Sequence, residues 1–381
     1  MNRSLLVPTT LLLQAVLPTS GVSQAMWRLE PTLTIGSVDG PVTFGSVSGL
    51  AVEADGTILV LDRYDGTVRA FAPDGSLESA FGGRGRGPGE LSELSSDLLV
   101  LPNGVIAVPD LGNRRVTVFS SDYSYSHSFR LSPSEGMAVR WAVLGDKLLK
   151  EVRPVPVLPG ARAVRLSRWA VVALNPLGEE LGTLLSFDGP GPAAVNRNGQ
   201  VTSRVYEDRP VWGVVPGGLL AHGSSGTYEV IVANENGPAL VTLSRSVRRG
   251  PVTDKIREEE TRRFEKGMAG FPPSVRERME APTFADSLPV IGAILPGPGG
   301  TILVRRGRGL IDDYSGSGDG GQQGEPAATY DVFTVDGEYS GILAPPSDFA
   351  LLAVAGNLIY GTSSDESDVE TIAVYRAIPP H

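Results

Sequence analysis

The fold of this chain is indicated by a stretch of sequence that occurs twice. Residues 50–74 read LAVEADGTILVLDRYDGTVRAFAPD, and residues 98–122 read LLVLPNGVIAVPDLGNRRVTVFSSD. Aligned without a gap, the two stretches share nine identical residues. Apolar residues alternate with others around Asp55-Gly56 and Asn103-Gly104, and such pairs are the strongest short signal for a β-hairpin. The repeat therefore predicts four strands per unit, in the first unit at about 48–53, 57–62, 67–72 and 76–81.

Four further units follow the same pattern with looser spacing, beginning near Trp141, Trp212, Val290 and Leu351. The last unit ends before a fourth strand can form. The segment from Arg28 to Gly36 resembles the outer strand of the first unit, so we expect it to complete the last one. Closure of this kind leaves only short, protected sheet edges. We predict an all-β domain over residues 26–381, a six-bladed β-propeller of four-stranded antiparallel blades.

Sequence composition agrees with a chain that turns often and excludes several classes of function. The 381 residues include 47 glycines and 30 prolines, which disfavours a helix bundle. The absence of cysteine excludes disulfides, thiol nucleophiles and cysteine–zinc sites. The net charge of −10 argues against nucleic acid as a partner.

The first 25 residues have the features of an export signal. Arg3 provides a positive start, Leu5 to Leu17 an apolar segment, and Ser23-Gln24-Ala25 a small-x-small cleavage site. The apolar run is broken by Pro8 and Gln14 and is too short to span a membrane. We therefore expect cleavage near Ala25 and a periplasmic or secreted protein. We also expect the protein to be a monomer.

The repeated units resemble NHL repeats. Phe81 to Leu91, FGGRGRGPGEL, is similar to the glycine-rich link between NHL blades, with Leu91 in place of the aromatic residue. The chain from residue 26 onward also resembles exported bacterial six-bladed β-propellers, including the closing Val374-Tyr375-Arg376. The resemblance implies the fold and export much more firmly than it implies an activity.

Long connections are predicted on only one face of the propeller. With strands named A to D from the axis outward, the A–B and C–D turns are short, and every long segment joins B to C or D to the next A. Residues 252–280, between blades 4 and 5, carry a helical pattern. Thr253 is the expected cap of the first helix, and Ser274 to Glu277 have the pattern of a capping box for a second. This insertion is expected either to cover the channel mouth or to pack on the side of the propeller.

Candidate site residues follow from the repeat, because one position per blade enters the inner strand from the loop-bearing face. These residues are Ser48, Asp97, Arg140, Arg209, Asp286 and Asp348. His222, at the end of strand B of blade 4, is a further candidate for ligand binding at the channel mouth. Arg140 and Arg209 are suited to a carboxylate or phosphate, while Asp62 and Asp110 recur at one repeat position and are expected to be architectural. A channel in which the six charged and polar residues pair with one another is the structural alternative.

Three functions are compatible with this pattern. The first is a non-enzymatic recognition module whose long-loop face binds a protein, a peptide or an anionic small molecule, without a cofactor. The second is a calcium-dependent, lactonase-like hydrolase in which Asp97, Asp286 and Asp348 hold the metal, by resemblance to gluconolactonase and paraoxonase propellers. The third is RNA binding, as in some NHL domains, which the acidic balance and the export signal disfavour.

Overall fold

Six four-stranded antiparallel sheets form the blades of a β-propeller, as the sequence predicts. The structure is a computed structural model that describes residues 25–37, 40–131, 137–153, 168–188, 194–195, 201–202, 204–311, 328–364 and 369–380. The expected signal sequence, apart from Ala25, lies outside the described residues. Within those ranges, no helix is long and apolar enough to cross a membrane.

Each blade contains four strands, A to D, in chain order, except that blade 6 takes strand D from the N-terminal region. In blade 5 the short strand Leu310–Ile311 comes between strands B and C. Blade 1 comprises Val47–Val52, Ile58–Asp62, Thr67–Phe71 and Leu77–Gly82. Blade 2 comprises Leu99–Val100, Ile106–Asp110, Arg115–Phe119 and Tyr125–Arg130. Blade 3 comprises Met137–Leu144, Lys147–Arg153, Trp169–Leu174 and Glu180–Phe187.

The second half of the ring repeats this arrangement. Blade 4 comprises Pro210–Val215, Leu219–Ser224, Glu229–Ala233 and Ala239–Ser244. Blade 5 comprises Ile291–Pro296, Ile302–Arg306, Tyr330–Phe333 and Tyr339–Leu343. Blade 6 comprises Ala350–Ala355, Leu358–Ser364, Glu370–Ile378 and Arg28–Ile35. Short strand pairs outside the blades are Ala194–Val195 with Val201–Thr202, Arg204–Val205 with Thr283–Phe284, and Arg248–Arg249 with Leu310–Ile311.

The hydrophobic core is divided among the seams between neighbouring blades. Successive side chains of a strand point to opposite faces of the sheet, so in strand B of blade 1 Ile58 packs toward blade 6 and Leu59 toward blade 2. Clusters of this kind lie between every pair of adjacent blades, including blades 6 and 1. The ring is therefore closed by apolar packing as well as by strand pairing.

The N-terminal segment closes the ring as expected. Arg28–Ile35 pairs antiparallel with strand C of blade 6 along its whole length. Immediately before it, the segment also contacts blade 5, where Trp27 N donates to Ile342 O at 2.8 Å and Ile342 N donates to Ala25 O at 2.8 Å. Two blades are thus tied together by one continuous stretch of chain.

The recurring aspartate of the repeat is architectural, as its recurrence indicates. Asp62 is 2% exposed and accepts hydrogen bonds from three backbone N–H groups, those of Gly45, Ser46 and Tyr64. Burial alone would raise the pKa of Asp62, but these N–H groups and Arg69 outweigh it and lower the pKa. Asp110 repeats the arrangement and accepts from the N–H groups of Ser92 and Asn113.

Blade 5 carries the ion pair of blade 1 with its charges exchanged. Arg69 lies opposite Val60 in blade 1, and Asp331 lies opposite Val304 in blade 5. Asp331 therefore occupies the position on strand C of blade 5 that Arg69 occupies on strand C of blade 1. Asp331 is fully buried and pairs with Arg306 at 2.6 Å. It also accepts hydrogen bonds from the hydroxyls of Tyr228 and Tyr339 and from Arg245. This network joins blades 4 and 5.

The helical insertion lies between blades 4 and 5, as expected. Helix α1 spans Asp254–Met268, and Thr253 caps it by accepting from Ile256 N. The expected capping box at Ser274 is wrong, because helix α2 spans Pro273–Arg276 and has no side-chain cap. A proline in the first turn has no N–H group that needs a partner, and its φ is already helical, so the helix can start without a capping side chain. Contacts to α1 come from Tyr206, which donates to Glu260, and from Arg308.

Candidate functional site

The long connections all lie on one face of the propeller, the face of the B–C and D–A joins. The strand bounds show this, because A–B turns such as that from Leu144 to Lys147 are short, whereas the D–A join between blades 4 and 5 runs from Ser244 to Ile291. Six of the expected site residues lie within strand A of their blades or up to five residues before it, and His222 lies on strand B of blade 4.

Arg140 lies on strand A of blade 3 and reaches the inner strands of blades 4 and 5. Its Nη1 donates to Trp212 O on the inner strand of blade 4, and its Nη2 donates to Ile294 O on that of blade 5 at 3.3 Å. The guanidinium also lies 5.0 Å from the centre of the Trp212 ring. Arg140 is thus anchored by backbone carbonyls, and part of its donor capacity is used within the ring.

A buried acid and a second arginine stand beside Arg140, and the repeat did not reveal them. Glu151, on strand B of blade 3, is 3% exposed and accepts from Trp212 Nε1 at 2.6 Å. Arg153, two residues further and so on the same side of the strand, pairs with Glu151 at 2.5 Å and lies 4.3 Å from the centre of the Trp169 ring. The available sequence signal was this charged pair inside the buried strand LLKEVR.

Arg209 completes a group of three guanidinium groups on blades 3 and 4. It precedes strand A of blade 4, where its backbone is fixed by hydrogen bonds to Ser225. Partial burial lowers the pKa of Arg209, and the positive charge of Arg153 lowers it further, while Glu207 acts in the opposite direction. Among the residues that the structure describes, no carboxylate forms an ion pair with Arg209. We call Arg140, Arg153 and Arg209 the arginine cluster.

Asp97 stands next to Arg140 on the neighbouring blade, before strand A of blade 2. Burial raises the pKa of Asp97 to about 6, although the charge of Arg140 acts to lower it. Its φ of 60° places it in the left-handed region, where aspartate and asparagine are among the better-tolerated residues. Asp97 and the arginine cluster therefore form one electrostatically connected region over blades 2 to 4.

His222 lies on strand B of blade 4, at the seam with blade 3. Its ring centre is 5.8 Å from that of Phe187, and it pairs across the sheet with Trp212. Burial lowers the pKa of His222, because it disfavours the charged imidazolium. In the described part of the chain, the His222 ring has aromatic neighbours and its two nitrogen atoms have no hydrogen-bond partner.

The remaining predicted residues are Asp286, Asp348 and Ser48, and the structure gives them separate surroundings. Asp286 is exposed and lies five residues before strand A of blade 5, so the expected register at that blade is wrong. The long insertion before blade 5 interrupts the repeat spacing from which the register was read. Asp348 is exposed and accepts a hydrogen bond from Ser363, and the Ser48 hydroxyl is buried without a partner among the described residues.

A metal site is not assembled by the described residues. In that part of the chain, no three histidine, aspartate or glutamate side chains come together as possible metal ligands. The axial calcium set of Asp97, Asp286 and Asp348 therefore gains no support from the geometry.

Comparison with known proteins yields structural relatives. The sequence matches no model of a protein family and no curated protein. A solved structure described as an exported protein of Bacteroides fragilis is similar, with a TM-score of 0.52 and 12% identity over 91% of this chain and 95% of that one. A member of the DUF4221 family from Bacteroides vulgatus is similar with a TM-score of 0.53 and 10% identity, over 93% of this chain and 99% of that one. At these identities the similarity establishes the fold.

Proposed function

We propose that this protein is an exported, non-catalytic recognition module that binds an anionic ligand at the arginine cluster. The observation that carries the proposal is Arg209, an exposed arginine that forms no ion pair with a described carboxylate and whose pKa is lowered by partial burial and by the charge of Arg153. Two neighbouring cations repel each other, and a carboxylate or phosphate between them would relieve that repulsion. Export rests on the sequence of residues 1–25 and is consistent with the exported structural relative.

The surroundings of the arginine cluster favour a ligand with defined geometry. Arg153 is held between the Glu151 carboxylate and the Trp169 ring, and Arg140 is held by two backbone carbonyls. Fixed guanidinium groups lose little side-chain entropy when they bind an anion.

The proposal is tested by titrating citrate and inorganic phosphate into the purified protein and measuring heat release and melting temperature. Stabilisation of the wild type is expected, because a ligand that binds only the native state raises its stability. Arg209→Ala is expected to weaken binding by about tenfold or more, since a charge-assisted hydrogen bond contributes about 1.5–3 kcal/mol.

Arg28→Ala is the matched control, because Arg28 is an exposed arginine on blade 6 that pairs with Glu30 at the surface. The control should bind like the wild type. Failure of both anions to bind, or unchanged binding by the Arg209 variant, would refute the anion site. Turnover of lactones or esters by the purified protein would refute the non-catalytic role.

A further inference from the structure

A recessed surface lies on the loop-bearing face, over blades 1 and 2. It is a cleft of about 250 Å³ between the glycine-rich D–A linker of blade 1 and the B–C turn of blade 2. Its lining includes Arg84, Arg86, Glu93, Leu94 and Asn113. None of these residues belongs to the arginine cluster of blades 3 and 4.

The linker is held from below, so the cleft has a fixed floor. Arg115 donates to the carbonyl oxygens of Arg86, Gly87 and Glu90, at 3.2, 2.6 and 2.7 Å. Asn113 donates to Gly85 O at 2.9 Å and to Asp110. In these bonds, the side chains of Arg115 and Asn113 provide donors for carbonyl oxygens of the linker. They thereby hold in place a segment that contains four glycines between residues 82 and 87.

Hydrogen-bond donors predominate in the cleft. Arg84 pairs with Glu93 at 2.8 Å, so one positive charge is offset. Arg86 is exposed, and its guanidinium has no partner in the described part of the chain. The backbone N–H groups of Arg86 and Gly112 likewise donate to no described residue. Unused donors around a guanidinium are suited to a carboxylate oxygen.

Apolar side chains border the cleft. Tyr64, Leu94 and Leu111 are 68%, 56% and 41% exposed. They belong to the same surface, because Arg84 donates to Tyr64 O at 3.3 Å and Leu111 N donates to Leu94 O at 3.4 Å. Exposed apolar residues around a polar, cationic centre are typical of protein-binding surfaces.

We infer that this blade 1–2 surface binds an acidic peptide segment of a partner protein, with a carboxylate side chain in the cleft beside Arg86 and apolar side chains on Tyr64, Leu94 and Leu111. Charge complementarity selects the partner, since the cleft is cationic in a chain whose net charge is −10. The apolar border selects a peptide over a free small acid, because a small acid would leave those side chains exposed.

The test uses a fluorescein-labelled hexapeptide of glutamate and leucine, with its charge-reversed lysine–leucine counterpart and free glutarate as comparisons. Fluorescence anisotropy is expected to show binding of the acidic peptide that weakens as salt is raised. Arg86→Ala and Leu94→Ser should each weaken it by about tenfold or more, the loss expected for an important interface contact. Both side chains are exposed, so the variants should melt like the wild type.

Matched control variants establish whether peptide binding depends on the blade 1–2 surface. Arg28→Ala and Leu240→Ser alter an exposed arginine and a leucine that is 53% exposed on other blades, and both should bind the peptide normally. Arg209→Ala should also bind it normally, which keeps this result independent of the arginine cluster. The inference is overturned if the acidic peptide does not bind, if the lysine peptide binds equally well, if glutarate competes as strongly as the peptide, or if Arg86→Ala leaves the affinity unchanged.

Discussion

Replacing Asp97 by asparagine should stabilise the protein at neutral and alkaline pH. The pKa of Asp97 is raised from 3.8 to about 6, first by burial, with Arg140 acting in the opposite direction. Above pH 6 the native protein therefore holds a carboxylate that its surroundings disfavour, whereas the unfolded chain hydrates the same group. Asparagine removes that charge, keeps the shape of the side chain and is tolerated at the φ of 60°.

The size of the effect follows from the shift. One pKa unit corresponds to about 1.4 kcal/mol, so the penalty above pH 6 is roughly 3 kcal/mol. The sign is set by the raised native pKa: the stability that protonation provides is complete below pH 3.8 and is lost as the pH rises through about 6. For a domain of this length the gain for Asp97→Asn at pH 8 corresponds to about 4 °C in melting temperature.

Melting curves of the wild type and Asp97→Asn should be compared between pH 4 and pH 8. The variant should gain stability progressively across this range and match the wild type at its acidic end. Asp286→Asn is the control, because it removes an exposed carboxylate on the same face and should change little. A gain that is equal at both ends of the pH range, or no gain at pH 8, would refute the assignment of the penalty to the ionised Asp97.

Three other perturbations test the structural account. Asp331→Ala should lower the unfolding free energy by about 3–5 kcal/mol, because it removes the buried carboxylate that faces Arg306 and Arg245; denaturant unfolding measures this, and a loss below about 1 kcal/mol would contradict it. Deleting residues 26–35 should abolish cooperative unfolding, since it removes strand D of blade 6; a variant that still melts in one sharp transition would contradict closure by this strand. EDTA and added calcium should leave the melting temperature unchanged; a rise with calcium that EDTA reverses would favour the hydrolase alternative.

The fold could be predicted from the sequence more completely than the site, because the signals for strands and turns are local. Hairpin signals such as Asp55-Gly56 act within a few residues, so blade number, strand positions and the closing strand could be read from the sequence. Repeat register also placed Asp97 and Arg140 at the rim of neighbouring blades, and the charge of Arg140 does act on Asp97. The same register failed for Asp286, where the insertion interrupts the spacing.

The partners of Arg140, Glu151 and Asp331 had no such signal. Contacts that join different blades, such as that of Tyr228 with Asp331, leave no local pattern in the sequence. The exchange of charges between the Asp62–Arg69 and Arg306–Asp331 pairs also hides the equivalence of the two positions from a search for identical residues. NHL membership and the export signal remain predictions from the sequence alone.

The sequence by itself determined the strands, the turns and the six blades of the ring. This was possible because the alternation of apolar and polar residues and the turn residues are properties of neighbouring positions. Only the tertiary structure decided which charges meet. Arg140 reaches carbonyl oxygens that are 72 and 154 residues away along the chain, and Glu151 meets an indole 61 residues away. Ring closure brings residues that are distant along the chain together, and in that setting burial raises the pKa of Asp97 and the charge of Arg153 acts on Arg209.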